Sequence, residues 1–352
     1  MTNPVRIFNY PWHIAHQYEL AGLPNTKWSW LAQHRRQYSA FPRGDYFDKY
    51  KMEWVPHYEK GKYDFALLHL DQQCFEEGIW DRGKGSLFKE VNSVVTDIPK
   101  IVIMHGTPYY PETFASDITE EHYAAMGFTK DQVGMSSVLI RRFKEETKDF
   151  AAIIFNSHTA QKQWGMENDP RAKTIWHGMK ASEWESLPKE PRVVTMISPA
   201  GLDMYYDRNL LRAVREILSE RNIEHCHITV DAVFKSWEEY KTFLGRSLVY
   251  FNPTKESPMP RSRTEAMLSG CCIVTTGGQD VEQFIETGKN GVIVPRNPNK
   301  ICDIIEGLIY NYKEAQKMGE AARQTALDVF KIENFYAGWN EVITKVTGKS
   351  IL

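Results

Sequence analysis

The densest chemistry in this 352-residue chain lies at residues 248–278, which read LVYFNPTKESPMPRSRTEAMLSGCCIVTTGG. A buried strand ending near Phe251, a proline-rich polar loop, a helix opening around Pro260 and a closing Gly270 are the expected order of elements. Proline suits a first helical position because its missing N–H would be unpaired there anyway, and glycine readily takes the left-handed conformation past a last turn. The helix thus begins at the carboxyl edge of a parallel sheet, where such folds bind ligands. Its free N–H groups and positive dipole end attract phosphate. Arg261, Ser262, Arg263 and Thr264 add donors in the same turn. Glu265 lies four residues after Arg261, so both project from one face, and a carboxylate there can accept two hydrogen bonds from a vicinal diol such as that of ribose. An exposed intrahelical ion pair between the two is the plainer alternative.

Histidines supply the second group of candidates. His105 follows the apolar run 101–104 beside Gly106, at a strand's carboxyl end. His13 and His16 follow the first strand in NYPWHIAHQYEL, where Trp12 and Tyr10 could stack on a sugar ring. Their spacing could place two metal ligands on one helical face, but no third ligand is identifiable, so contact with sugar or acceptor is the expectation and a structural role its rival. Ser157, in Asn156-Ser157-His158, is expected to cap the following helix.

The elements that must position these residues are short, β-branched apolar runs at 5–8, 65–70, 101–104, 151–155, 193–197, 228–233, 248–251, 272–275 and 292–294. Amphipathic stretches lie between them, for example 207–218, 237–244 and 300–312. Strands buried on both faces alternating with helices predict an α/β protein with parallel sheets. A polar linker at 177–192 separates two strand–helix series. The expected division is an N-terminal domain at 1–185, a C-terminal domain at 186–330 and a final helix from 331. That helix carries a wide apolar stripe and is expected to pack back toward the N-terminal domain.

Bulk properties narrow the function classes. The 42% hydrophobic and 25% charged fractions are those of an ordinary globular protein, and a formal net charge of -2 gives no field favouring nucleic acid. Five cysteines, an odd number without a C-x-x-C pair, argue against a disulfide framework or a structural zinc site. No signal peptide and no apolar run long enough to span a bilayer are evident, so a cytoplasmic location is expected. The helix near 138–148 carries Arg141, Arg142, Lys144 and Lys148, a basic face compatible with peripheral contact at the cytoplasmic face of a membrane, though Glu145 and Glu146 interrupt it. No Asp-x-Asp, G-x-S-x-G, H-E-x-x-H or P-loop motif occurs, and neither a cofactor nor a divalent metal is expected.

The segment PRSRTEAMLSGCCIVTT followed by GGQDVEQFIETGKNGVIVP resembles the donor site of retaining glycosyltransferase family 4, among the glycosyl transferases group 1. Gly277, Gly278, Glu282, Gly288 and Gly291 fall in the family's order. The resemblance is strong over about the last third of the chain. It implies the GT-B architecture, two Rossmann-like domains facing across a cleft, and retaining transfer of a hexose from a nucleoside diphosphate sugar to a hydroxyl of a glycan, a lipid-linked acceptor or a small molecule. It assigns Glu265 to the donor ribose and His105 to the donor sugar. His69-Leu70-Asp71 resembles a strand end on the acceptor side. Two departures stand out. The family's other glutamate, which helps hold the donor sugar, would fall at Ser257, with Glu256 one place earlier. The arginine and lysine that clamp the diphosphate are absent from ISPAGLDMYYDRNLLRAV, leaving Arg208 with Arg261 or Arg263 for that charge. A non-catalytic nucleotide-sugar-binding or partner subunit and a GT-B epimerase are the alternatives.

Overall fold

A computed structural model describes residues 3–11, 14–34, 52–75, 84–108, 136–197, 205–228, 234 and 236–352. The chain forms two compact units, one comprising Met1–His177 with Phe335–Leu352 and the other Gly178–Asn334.

The first unit is built on seven parallel strands: β1 (Val5–Asn9), β2 (Thr26–Leu31), β3 (Glu53–Val55), β4 (Phe65–Leu70), β5 (Lys100–Met104), β6 (Ala152–Phe155) and β7 (Ala172–Thr174). Their order is β3-β2-β1-β4-β5-β6-β7. The chain order therefore reverses between β1 and β4, and a crevice opens at their carboxyl ends. Every residue of β4 is buried, which is why this strand reads as a continuous apolar run. Helices α1 (Ile14–Leu20), α2 (Lys84–Val94), α3 (Ser136–Glu146) and α4 (His158–Gln163) connect the strands. Phe88, Phe143, Phe150, Phe155 and Trp164 join one buried cluster with the β4 and β5 side chains. Ser157 caps α4 by accepting from the Ala160 amide at 3.0 Å.

The second unit has five parallel strands, β8 (Glu190–Met196), β9 (His225–Ile228), β10 (Ser247–Asn252), β11 (Cys272–Thr276) and β12 (Val292–Val294), ordered β12-β11-β10-β8-β9. Here the reversal lies between β8 and β10. The intervening helices are α5 (Arg208–Glu220), α6 (Trp237–Arg246), α7 (Arg261–Leu268), α8 (Pro298–Tyr310) and α9 (Tyr312–Val329). Helix α8 opens two residues before the expected start because Asn297 caps it, accepting from the Lys300 amide, with Pro298 next in line.

The strand expected at 228–233 is described over His225–Ile228, where it pairs with β8 at the sheet edge among the described residues, and residues 229–233 of the expected run lie outside the described residues. An edge strand has one neighbour and half-buried residues, so HCHI need not be apolar. Helix α10 (Ile332–Thr347) buries Phe335, Trp339, Val342 and Ile343, and residues from Phe335 onward belong to the first unit. There Lys349 pairs with Asp64 at 3.0 Å, Lys345 donates to the Pro170 carbonyl at 2.9 Å, and Lys173 pairs with Glu341. None of the described helices is long and apolar enough to cross a membrane.

Candidate functional site

In the second unit the candidate residues gather where β10 hands over to α7. The loop after β10 is pinned to the segment before α5: the Lys255 and Glu256 amides both donate to the Tyr205 carbonyl, at 2.9 and 3.0 Å, and the Asp207 amide donates to the Pro253 carbonyl at 3.0 Å. Pro260 is the N-cap of α7 and no side chain caps that end. Its first-turn donors therefore face whatever approaches the carboxyl edge of the sheet. At the other end Gly270, with φ +71°, makes the left-handed exit into β11.

Arg261 and Glu265 form the ion pair that their spacing allows, Nε to Oε1 at 2.9 Å, but the pair is not a surface one. The Arg261 and Glu265 side chains are only 12% and 1% exposed. The second carboxylate oxygen, Oε2, accepts from the Tyr240 hydroxyl at 2.7 Å. Tyr240 stands on α6, 25 residues away, and its part could not be read from any local pattern. Ser262 accepts a 2.7 Å hydrogen bond from Tyr250 of β10, so helix and strand are stitched together at this edge. Burial pushes the Tyr250 phenol well above its usual range. Thr264 is fully buried.

Arg263 departs from the expectation of a donor at the helix mouth. It is fully buried, with its guanidinium over the Phe284 ring at 5.1 Å and Nη2 3.6 Å from Met259 Sδ. Nε and Nη1 have no hydrogen-bond partner. Loss of water lowers its pKa to about 10. Arg208 is exposed in the first turn of α5. Beside it Arg296, which sequence reading passed over, donates to the Thr254 carbonyl at 2.6 Å and pairs with Asp207 at 3.3 Å. Glu256 Oε2 lies 3.5 Å from Gln279 Nε2, and Ser257 Oγ lies 3.5 Å from the Tyr206 hydroxyl. Glu282 accepts from the Gly278 amide at 2.7 Å and so holds the turn after β11, where φ is +105°.

In the first unit, polar side chains converge on the crevice between β1 and β4. Asn9 Nδ2 donates to Gln17 Oε1 at 2.8 Å, Gln17 Nε2 lies 2.8 Å from His69 Nε2, and His69 Nδ1 lies 2.7 Å from His105 Nε2. His69 is fully buried and His105 nearly so. Asn9 Oδ1 also lies 3.2 Å from His69 Nε2. Asn156 Nδ2 lies 3.4 Å from His105 Nδ1, and the ring tautomers decide which nitrogens donate along this chain. His16 stacks edge-on against His105, with ring centroids 5.0 Å apart. Trp12 and His13 lie outside the described residues. Among the described residues no group of three or more His, Cys, Asp or Glu could hold a metal ion.

Comparison with known proteins agrees with this layout. The family described as "Glycosyl transferases group 1" matches residues 209–325, less than half of the chain. Spore coat protein SA of Bacillus subtilis (strain 168) is 23% identical over 144 residues, 40% of this chain and 36% of that protein's length. Three solved structures match nearly end to end. Anabaena HepE in complex with UDP-glucose has a TM-score of 0.65 at 11% identity, covering 98% of this chain and 100% of that one. A glycosyltransferase from Rickettsia africae has 0.59 at 11%, covering 99% and 100%. Sucrose-phosphate synthase from Thermosynechococcus elongatus has 0.59 at 10%, with the same coverage. The chain has the GT-B fold.

Proposed function

We propose that this chain is a retaining glycosyltransferase that moves a hexose-type group from a nucleoside diphosphate sugar to an acceptor hydroxyl without a divalent metal. The observation that carries the reading is the buried, doubly held carboxylate of Glu265, beside an uncapped helix amino end at the carboxyl edge of the sheet. In this reading Glu265 holds the two ribose hydroxyls. The α7 amino end, with Arg261 and Ser262 in its first turn and Arg208 nearby, offsets charge on the diphosphate, while the buried Arg263 and Thr264 support the helix from within. That charge grows as the bond from the anomeric carbon to the phosphate oxygen breaks, so fixed dipoles and cations stabilise the transition state more than the ground state. The acceptor oxygen bonds to the anomeric carbon on the face the diphosphate leaves, and its proton passes to the departing phosphate. No side chain is assigned as general base.

Glu256, with Ser257 beside it, is assigned to the donor sugar. His105 is assigned to a sugar hydroxyl, and His16 with Trp12 and His13 to sugar or acceptor contacts. Uridine is the proposed base, because the HepE structure holds UDP-glucose.

A thermal-shift panel of UDP-, GDP- and dTDP-sugars tests the donor site, since a ligand bound only by the folded state must raise its melting temperature. A UDP-sugar is expected to raise Tm for the wild type and not for Glu265→Ala. An undiminished shift in the variant would overturn the ribose assignment. Nucleotide-sugar binding without transfer is a second reading, favoured by Ser257 standing where the family has a carboxylate. Slow release of free sugar from UDP-glucose in its original anomeric form supports the transferase, whereas binding with no release supports the second reading.

A further inference from the structure

We propose that Tyr240 is a positioning residue that fixes the plane of the Glu265 carboxylate and thereby makes the site select ribose over 2′-deoxyribose nucleotides. The inference rests on the reading of Glu265 as the ribose ligand. It begins from the burial of that side chain, which is 1% exposed. An ionised carboxylate so far from water needs donors to stay charged. Arg261 Nε meets Oε1 at 2.9 Å and the Tyr240 hydroxyl meets Oε2 at 2.7 Å. The two donors come from different elements, α7 and α6, and approach different oxygens.

One tether would fix where the carboxylate sits but leave it free to turn about its last bond. Two tethers on separate oxygens fix its plane. A vicinal diol needs both oxygens in a set orientation, whereas a single hydroxyl tolerates rotation. A carboxylate offers about four acceptor positions, more than Arg261 and Tyr240 take up between them.

Tyr240 is itself firmly held. Its ring packs against Trp237, Phe234 and Trp184, with centroids at 5.0, 5.6 and 6.2 Å, and its hydroxyl also lies 2.7 Å from Met196 Sδ. Behind it, the Lys189 ammonium binds the Gly245 carbonyl at the end of α6 at 2.7 Å and the Ser269 carbonyl after α7 at 2.5 Å, joining the carboxyl ends of the two helices that carry the donors. Side chain and support are both arranged to limit motion of one hydroxyl.

Calorimetric titration of UDP and 2′-deoxy-UDP decides the matter. The wild type is expected to favour UDP by about tenfold or more, the worth of a hydrogen bond to a charged group. Tyr240→Phe keeps the ring and its packing and should reduce that preference to within about threefold, mainly through weaker UDP binding. Met196→Leu, which removes the hydroxyl's other partner, should keep the preference. In a Glu265→Gln background, adding Tyr240→Phe should change nothing further, because residues acting through one group are not additive. An unchanged preference in Tyr240→Phe, its loss in Met196→Leu, or additivity in the double variant would overturn the assignment of Tyr240. If the wild type shows no preference and Glu265→Gln binds UDP undiminished, the ribose reading itself fails, and the inference with it.

Discussion

The two sheets place their polar residues at equivalent points, the crevice where strand order reverses, yet fill them differently. In the first unit the crevice holds a chain of amides and imidazoles, Asn9, Gln17, His69 and His105, each satisfied by the next at short distance. In the second it holds formal charges, with Glu265 between Arg261 and Tyr240 and with Arg263 buried nearby, two of its nitrogens unpartnered. A network of short hydrogen bonds confers rigidity. Desolvated charge at an uncapped helix end confers affinity for something that carries the opposite charge. The contrast teaches that equivalent positions in one fold can be built from neutral hydrogen-bonding groups in one unit and from buried formal charges in the other.

Substitutions can break that contrast, the largest effect first. Glu265→Ala should weaken UDP binding by on the order of 100-fold, from two hydrogen bonds to a charged acceptor, and should also lower the melting temperature of the unliganded protein, because Arg261 and Tyr240 lose a buried acceptor. A fall in that temperature with affinity retained would overturn the ribose assignment. His69→Leu strands the Gln17 amide and His105 Nε2 in a buried place and should lower stability in urea by about 2–3 kcal/mol, while UDP affinity stays within about twofold.

Acid should act on the second unit through His225. Burial depresses its pKa to about 3, with Arg215 and His227 adding in the same direction. The folded state therefore binds fewer protons than the unfolded one between pH 3 and 6.5. The stability is present above pH 6.5 and is lost as pH falls toward 3, reaching about 2 kcal/mol at pH 5. His225→Gln should flatten that slope, and an unchanged slope would assign acid sensitivity to other groups. The smallest effect is expected at Ser157, where removal of the cap in Ser157→Ala should lower stability by about 1 kcal/mol and leave ligand affinity unchanged. A change in affinity there would tie the α4 cap to nucleotide binding.

The same contrast explains what the sequence made visible. The β10–α7–β11 unit was legible because Pro260 and Gly270 punctuate it and the strands on either side carry apolar runs and are buried throughout. The pairing of Arg261 with Glu265 followed from helical spacing, although its burial did not, because burial depends on α6 and on the aromatic side chains around Tyr240. Edge strands such as β9, β3 and β7, half-buried and short, carry no apolar run and were missed in whole or in part. His69 and His105 were each noticed at a strand end. Their contact follows from β4 and β5 being neighbours in register, with His69 opposite Ile103, which is a property of the sheet and not of either segment. Tyr240 and Arg296 were missed for the same reason, since each meets its partner across a gap of 25 or more residues.

The division of the chain has a consequence for the order of synthesis. The second unit is one uninterrupted stretch, Gly178–Asn334, but the first is completed only by Phe335–Leu352. During translation the first unit leaves the ribosome still lacking the residues that supply Lys349 to Asp64, Glu341 to Lys173 and the apolar face of α10. Because chains emerge amino end first and domains fold as units, the later-made unit is the first to have every residue it needs. Of the two units, the one whose first residues are made earlier is thus completed later.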